Sequence, residues 1–519
     1  MSEIKIEPYF GGFVLETLTV GMYGESRNAL REYVQNAFDS VRRAHRKPGK
    51  RLSEGLIKIT MGAGGSGLTI HDNGAGLPRA SAVGILTSIG ASGKDYKREA
   101  GFRGIGRLSG IVFTDQMIFS TKAAGENVTT VVTFDAKAMR EAMKPDSASE
   151  LSAEAMITTF VTAKQTPSAE LDDHFFEVKL VGFEDAPEEC TSAKKLEAFL
   201  SQVAPVPYGE NLPEKLKAIL KEGPTRSGIP VESVKLQIIE GSNVTNVVRP
   251  YGIQYEVGRE PKEGGDIEEV ETVDLADIQY ISGTDWWGWW GDKERSGQYG
   301  DSKVSGIRVR VKNIQIDGVD VFRDIFRAQG KSHIRFQEWF IGEIFVKPEA
   351  LVPNARRDGF EENQSWKKVR REWGVPAKAM IDRAYEISDK SQTTIEKLRE
   401  DTATAVESIA ALRRADFQNA DRTLEFAAKV TKIQKQVAKA SKSASPRALP
   451  DLQALSSELF DIRTEAVSKL AAATKPAEDE KLRNEIRQEL IEELLSVFES
   501  EIEQPCLGRV RSVLRKYYN

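Results

Sequence analysis

The stretch Asn28–Ala44, NALREYVQNAFDSVRRA, constrains this chain more than any other segment. Leu30, Tyr33, Val34, Ala37, Phe38 and Val41 recur at helical spacing and predict an amphipathic helix with its apolar stripe on a core. Glu32, Asn36 and Asp39 stand four and three residues apart, so they share another edge of that helix. A carboxylate and a carboxamide one turn apart can face a pocket together. The amide oxygen is a hard ligand suited to Mg²⁺, and the carboxylate can orient a water. Taken alone, the same edge also reads as the solvated face of an ordinary helix.

Two later segments bear on that choice. Leu68-Thr69-Ile70 reads as a short strand running into His71-Asp72-Asn73-Gly74-Ala75-Gly76-Leu77-Pro78. Asp72 at the strand's end can accept a hydrogen bond from an exocyclic amine such as adenine's. Gly74 and Gly76 let the backbone approach a flat ligand or a phosphate. A tight surface turn is the plainer reading, since Asp-Asn-Gly is ordinary turn chemistry. From Ser88 to Ile111 a polar stretch containing Ser92 and Lys94 precedes Gly101-Phe102-Arg103-Gly104-Ile105-Gly106. Glycines before a helix expose N–H groups to anions, and the polar stretch can fold over a nucleotide with Ser92 and Lys94 as contacts. The GxxxxGK[ST] pattern of P-loop proteins is absent from the chain.

In this order the three segments closely resemble the boxes of the GHKL ATPase superfamily, which groups gyrase B subunits, HtpG-type heat-shock chaperones, histidine kinases, MutL and MORC proteins. The resemblance implies a Bergerat-type α/β sandwich over about the first 185 residues, binding ATP and Mg²⁺. Glu32 is the implied catalytic base and Asn36 the implied metal ligand. Asp39, Asp72, Gly74, Gly76, Ser92, Lys94, Gly101, Gly104, Ile105 and Gly106 are the implied nucleotide contacts. The helix box looks most like the HtpG-type version. Leu351–Asp358, LVPNARRD, is similar to the chaperones' middle-domain loop, whose arginine reaches the γ-phosphate. Arg357 matches that position and Arg356 competes with it; surface charges are the plain alternative. The run His174–Leu180 lacks the Gly-Thr pair that many members carry, and GFRGIG begins like the MutL version.

At 519 residues the chain suggests about three domains. We expect an ATP-binding domain over 1–186, a strand-rich α/β middle domain over 187–376, and an all-helical, dimerising or coiled-coil region over 377–519. Lys442–Asp451 and Thr474–Glu480 read as loops within that last region. Net charge is −5, so there is no global basic field for nucleic acid. Two cysteines exclude a disulfide framework, and four scattered histidines argue against zinc. The start lacks the features of a signal peptide and no apolar run is long enough to span a bilayer, so a cytoplasmic protein without a membrane partner is expected.

Three features fall outside the boxes. Trp286, Trp287, Trp289 and Trp290 read either as an exposed client patch or as a local aromatic core. Ile307, Val309 and Val311 alternate with Arg308, Arg310 and Lys312, predicting a half-buried strand whose basic face is solvated or meets a phosphate backbone. The closing RVRSVLRKYYN is basic and reads as a solvated helix end. The expected function is a homodimeric, ATP-gated clamp of chaperone type on a protein client. The alternative is a MutL- or MORC-like clamp on nucleic acid. A histidine kinase is disfavoured because no phosphoacceptor helix precedes the boxes, and no topoisomerase tyrosine domain is visible.

Overall fold

The computed structural model describes residues 9–17, 25–45, 51–91, 93, 95, 97, 99–101, 104–144, 151–258, 271–294, 297–316, 318–392, 395–442, 449–473 and 486. The chain divides into two units, Met1–Ile387 and Ser388–Asn519.

The first unit begins with α1 (Phe13–Glu16) and α2 (Asn28–His45), then β1 (Leu56–Met61), β2 (Gly67–Asp72) and α3 (Ala82–Thr87). Next come β3 (Thr114–Lys122), β4 (Val128–Asp135), α4 (Ala136–Met143), α5 (Ala153–Phe160), β5 (Val161–Pro167) and β6 (Phe175–Phe183). Past these lie α6 (Ala193–Val203), α7 (Glu214–Ser227), β7 (Lys235–Glu240) and β8 (Asn243–Val247). One eight-stranded sheet runs β5-β4-β3-β6-β2-β1-β7-β8. All its neighbours are antiparallel except the parallel pair β1–β7. The apolar stripe of α2 packs into the core of this sheet through Leu30, Val34, Phe38 and Val41. Because β7 and β8 extend the same sheet, the boundary expected at residue 186 falls inside this body.

The unit continues with β9 (Gln254–Gly258), β10 (Glu271–Asp274), β11 (Ile278–Ser282), β12 (Trp286–Gly291), β13 (Gln298–Tyr299), β14 (Gly306–Val311) and β15 (Ile314–Ile316). It closes with α8 (Asp320–Gln329), β16 (Ile341–Val346) and α9 (Gln364–Gln392). Strands β10-β9-β13 form a small sheet, and β11-β12-β16-β14-β15 a five-stranded one. The four tryptophans lie on β12 and are all buried. Trp286 and Trp290 enter one core with Trp373 of α9, while Trp287 and Trp289 enter another with Ile341 and Phe345. Period-two alternation thus divides them between two faces of an interior strand, and the exposed-patch reading fails.

The basic strand also departs from expectation. Arg308 and Arg310 are buried, so β14 offers no basic face to solvent or to nucleic acid. Glu343 on β16 lies between Arg249 and Arg310 and pairs with both, and Tyr208 donates to it as well. Pro376, expected to mark a boundary, lies inside α9.

In the second unit α10 (Ile395–Arg414), α11 (Ala420–Lys442) and α12 (Leu449–Ala473) pack around Leu398, Ile409, Val430, Ile433, Leu459 and Ile462. Arg399 pairs with Asp451 and Arg413 with Glu465, a constant offset that makes α10 and α12 parallel. The loop expected over Lys442–Asp451 is shorter, since Lys442 still belongs to α11 and Leu449–Asp451 already form the first turn of α12. Residues 443–448, the loop expected at 474–480 and the basic C-terminal run lie outside the described residues. No described helix is long and apolar enough to cross a membrane.

Removing Glu343 strands two buried guanidiniums. Glu343→Gln is expected to destabilise the first unit by about 3–5 kcal/mol in urea unfolding, as breaking a buried ion pair does; a loss below about 1 kcal/mol would contradict the balance described.

Candidate functional site

Helix α2 is buried on both sides. Its apolar stripe meets the sheet, and its polar edge is covered by residues from far along the chain. Glu32 is 5% exposed and Asp39 0%, so the solvated-face reading fails. Glu32 and Asn36 line a cavity of about 930 Å³ with Gly101, Gly104, Ile105 and Gly106. A cavity of this size suits a nucleotide-sized ligand.

Arg357 closes one side of that cavity. Its Nε lies 2.9 Å from Glu32 Oε1, and its Nη2 donates to the carbonyl of Ala100 at 2.5 Å. Arg357 sits at φ 58°, a left-handed conformation that costs a non-glycine residue about 1–2 kcal/mol. The turn is held by the Arg357 N–H on Asn354 C=O and by the Asn354 amide on Asp358. Arg356 is exposed, although its carbonyl accepts from Arg31. Of the two competitors, Arg357 is the one whose side chain reaches the cavity.

Asp39 is placed differently from the expectation and is not a lining residue. Its two oxygens accept the N–H groups of Ala100 and Gly101, both at 2.9 Å. It therefore anchors the backbone that leads into the glycine turn. A second anchor was not anticipated from sequence. Lys312 and Asn313 form the β14–β15 turn with φ of 51° and 66°, the left-handed pair of a two-residue hairpin. Lys312 Nζ donates to the carbonyl of Glu99 at 2.5 Å. Burial pushes its amine down to about 8, with Asp39 pulling the other way. A two-residue polar break between Val311 and Ile314 is the sequence signal for this turn.

Asp72 is 1% exposed at the end of β2 and accepts from the N–H of Gly74 at 2.9 Å. A Cβ on Gly74 would collide with Ser40 and Asp72, and Gly76, at φ 62°, has the Lys122 carbonyl where its Cβ would be. Gly76 also lines a smaller cavity of about 80 Å³ with Tyr33, Ser40, Phe119, Phe176 and Val178. The strand sought for a Gly-Thr pair is β6, where Phe176 stands opposite Asp72 and apolar groups take the wall. A nearby threonine, Thr121 on β3, accepts from Leu77 N–H at 2.8 Å and donates to Phe175 C=O at 3.1 Å. Ser92 and Lys94 lie outside the described residues. Among the described residues no cluster of three His, Cys, Asp or Glu side chains could hold a metal alone.

Residues 24–164 match the family described as histidine kinase-, DNA gyrase B-, and HSP90-like ATPase. This is the GHKL class, and the match spans α2, the Asp72 turn and the glycine turn. A GHKL ATPase domain implies ATP binding. Comparison with curated proteins gives no match.

Burial pushes the Asp72 carboxyl up to about 7, against the lowering pull of the Ser40 hydroxyl and the Gly74 N–H. Its folded value exceeds its unfolded one, so its contribution to stability is full below about pH 4 and is lost as pH rises through about 7. For a purine amine donating to Asp72, as the family resemblance implies, the ionised carboxylate would be the stronger acceptor. ATP affinity by calorimetry is therefore expected to rise between pH 6 and pH 8, by up to about tenfold, with proton release near neutrality; a flat profile would contradict this.

Proposed function

We propose that the chain is a Mg²⁺-dependent ATPase whose turnover is gated by the Leu351–Asp358 loop, and that it works as a homodimeric clamp of HtpG-chaperone type on a protein client. The single observation carrying this reading is the ion pair between Glu32 on α2 and Arg357, which comes from 325 positions further along the chain. ATP lies with its purine toward Asp72 and its phosphates toward Gly104, Ile105 and Gly106. Asn36, beside Glu32 in the cavity, offers one amide oxygen to Mg²⁺, a cation that takes few protein ligands and keeps waters and phosphate oxygens for the rest. When bound, that ion offsets charge on the phosphates.

In the described state Arg357 holds the carboxylate of Glu32. A γ-phosphate competes for the same guanidinium. As Arg357 turns to the phosphate, Glu32 is released to polarise the attacking water and accept its proton, while the bond from the γ-phosphorus to the β–γ bridging oxygen breaks and ADP leaves. Phosphoryl transfer needs mainly positioning and charge stabilisation, so one arginine placed from elsewhere in the fold has a large effect. Because Glu99–Gly101 are gripped by Asp39, Lys312 and Arg357 together, closing the site requires movement of the elements that carry them. Slow turnover is expected here, as the resemblance to GHKL ATPases implies.

The buried arginines of β14 support a protein client over a MutL- or MORC-like clamp on nucleic acid, since they remove the basic strand face read from sequence. The helical second unit, with Leu424 and Phe460 largely exposed, supports the dimer. A dimer is expected by light scattering at micromolar concentration, and a monomer counts against it.

Glu32→Ala is expected to keep ATP affinity within a few-fold and lose at least about a hundredfold in turnover, as removal of a general base does; unchanged turnover removes Glu32 from its role. Asp72→Asn is expected to abolish nucleotide binding, so retained affinity would show the purine end is misassigned. Unfolded protein, and not double-stranded DNA, is expected to stimulate phosphate release; the reverse result would favour the nucleic-acid clamp.

A further inference from the structure

We propose that Arg107 is a phosphate-binding residue of this nucleotide cavity, supplying a fixed guanidinium to the polyphosphate. The inference rests on the ATP reading of the same cavity.

Arg107 lines both the large cavity and the small apolar one beside it, which the ATP reading gives to the phosphates and the purine. Its Nη2 donates to the carbonyls of Ser88 at 2.5 Å and Gly104 at 3.0 Å. Its Nε is buried and has no hydrogen-bond partner. Among the described residues no carboxylate lies within ion-pair distance of it. Arg43, the other arginine common to both cavities, differs, since Glu99 lies 3.6 Å from its Nε. Burial alone pushes the Arg107 guanidinium down to about 10, so it is charged at neutral pH.

Holding a desolvated cation against carbonyls alone is unfavourable, and an entering anion removes that penalty. The guanidinium has N–H groups to spare, and its planar fork matches phosphate oxygens. A purely structural part, tying the Ser88 carbonyl to the Gly104 carbonyl, would leave the buried Nε unexplained. It would also be filled as well by a neutral donor.

The test compares adenosine, ADP and ATP binding by calorimetry for the full chain, as wild type, Arg107→Met and Arg107→Lys. The methionine variant is expected to bind ADP and ATP about 10- to 100-fold more weakly, the scale of a lost charged hydrogen bond, while adenosine affinity holds within about threefold. Lysine should restore part of the loss. Equal losses for adenosine and ADP, or an unchanged ADP-to-adenosine ratio, would overturn the proposal. Should the variants not fold, wild type decides. Modification of Arg107 by an arginine-specific dicarbonyl, read by mass spectrometry, is expected to be blocked by ADP and not by adenosine; equal protection by both overturns the assignment. If wild type binds neither adenosine nor ADP, the ATP reading itself fails, a result separate from these.

Discussion

The contact between Arg357 and Glu32 joins the two halves of the first unit at the point where chemistry is expected. It does not stand alone. The same guanidinium takes the carbonyl of Ala100, Lys312 takes the carbonyl of Glu99, and Asp39 takes the next two N–H groups. Three consecutive residues at the entrance to the glycine turn are therefore held by one side chain from α2 and two from beyond residue 300. Any ligand that draws Arg357 away from Glu32 must also disturb this grip. Geometry of this kind couples the state of the cavity to the placement of β14, β15 and the Leu351–Asp358 loop.

Behind the grip lies a rigid support. Asn313, next to Lys312, accepts from Arg249 and donates to the carbonyl of Glu232, and Glu232 pairs with Arg42 on α2 at 2.8 Å. Arg249 in turn shares Glu343 with Arg310. The buried charges of the five-stranded sheet thus continue into the helix that carries Glu32 and Asn36. A network this buried is stable only when each member is paired, so it resists partial displacement and favours discrete arrangements over gradual ones.

Much of the site was legible because local chemistry dictated it. The apolar stripe of Asn28–Ala44 needed a core, and the sheet supplied one; Asp72 with Gly74 and Gly76 made a turn whose backbone approach only glycine allows. Other features depended on tertiary partners that spacing cannot reveal. Arg308 and Arg310 look solvated until Glu343 and the neighbouring backbone carbonyls are placed beside them. The tryptophans read as one cluster, yet a strand sends alternate members to opposite faces. Asp39 shares an edge with Glu32 and Asn36, but its position beneath Ala100 and Gly101 turns it into a backbone anchor. Arg107 carried no signal at all, because its neighbours are main-chain carbonyls and cavity.

The most direct measurement is steady-state phosphate release against ATP concentration for Arg357→Ala beside the wild type. A kcat lowered by at least about a hundredfold, with ATP affinity within a few-fold by calorimetry, is what the Glu32–Arg357 contact predicts. An unchanged or increased kcat would show that the arginine only restrains Glu32 and has no part in turnover.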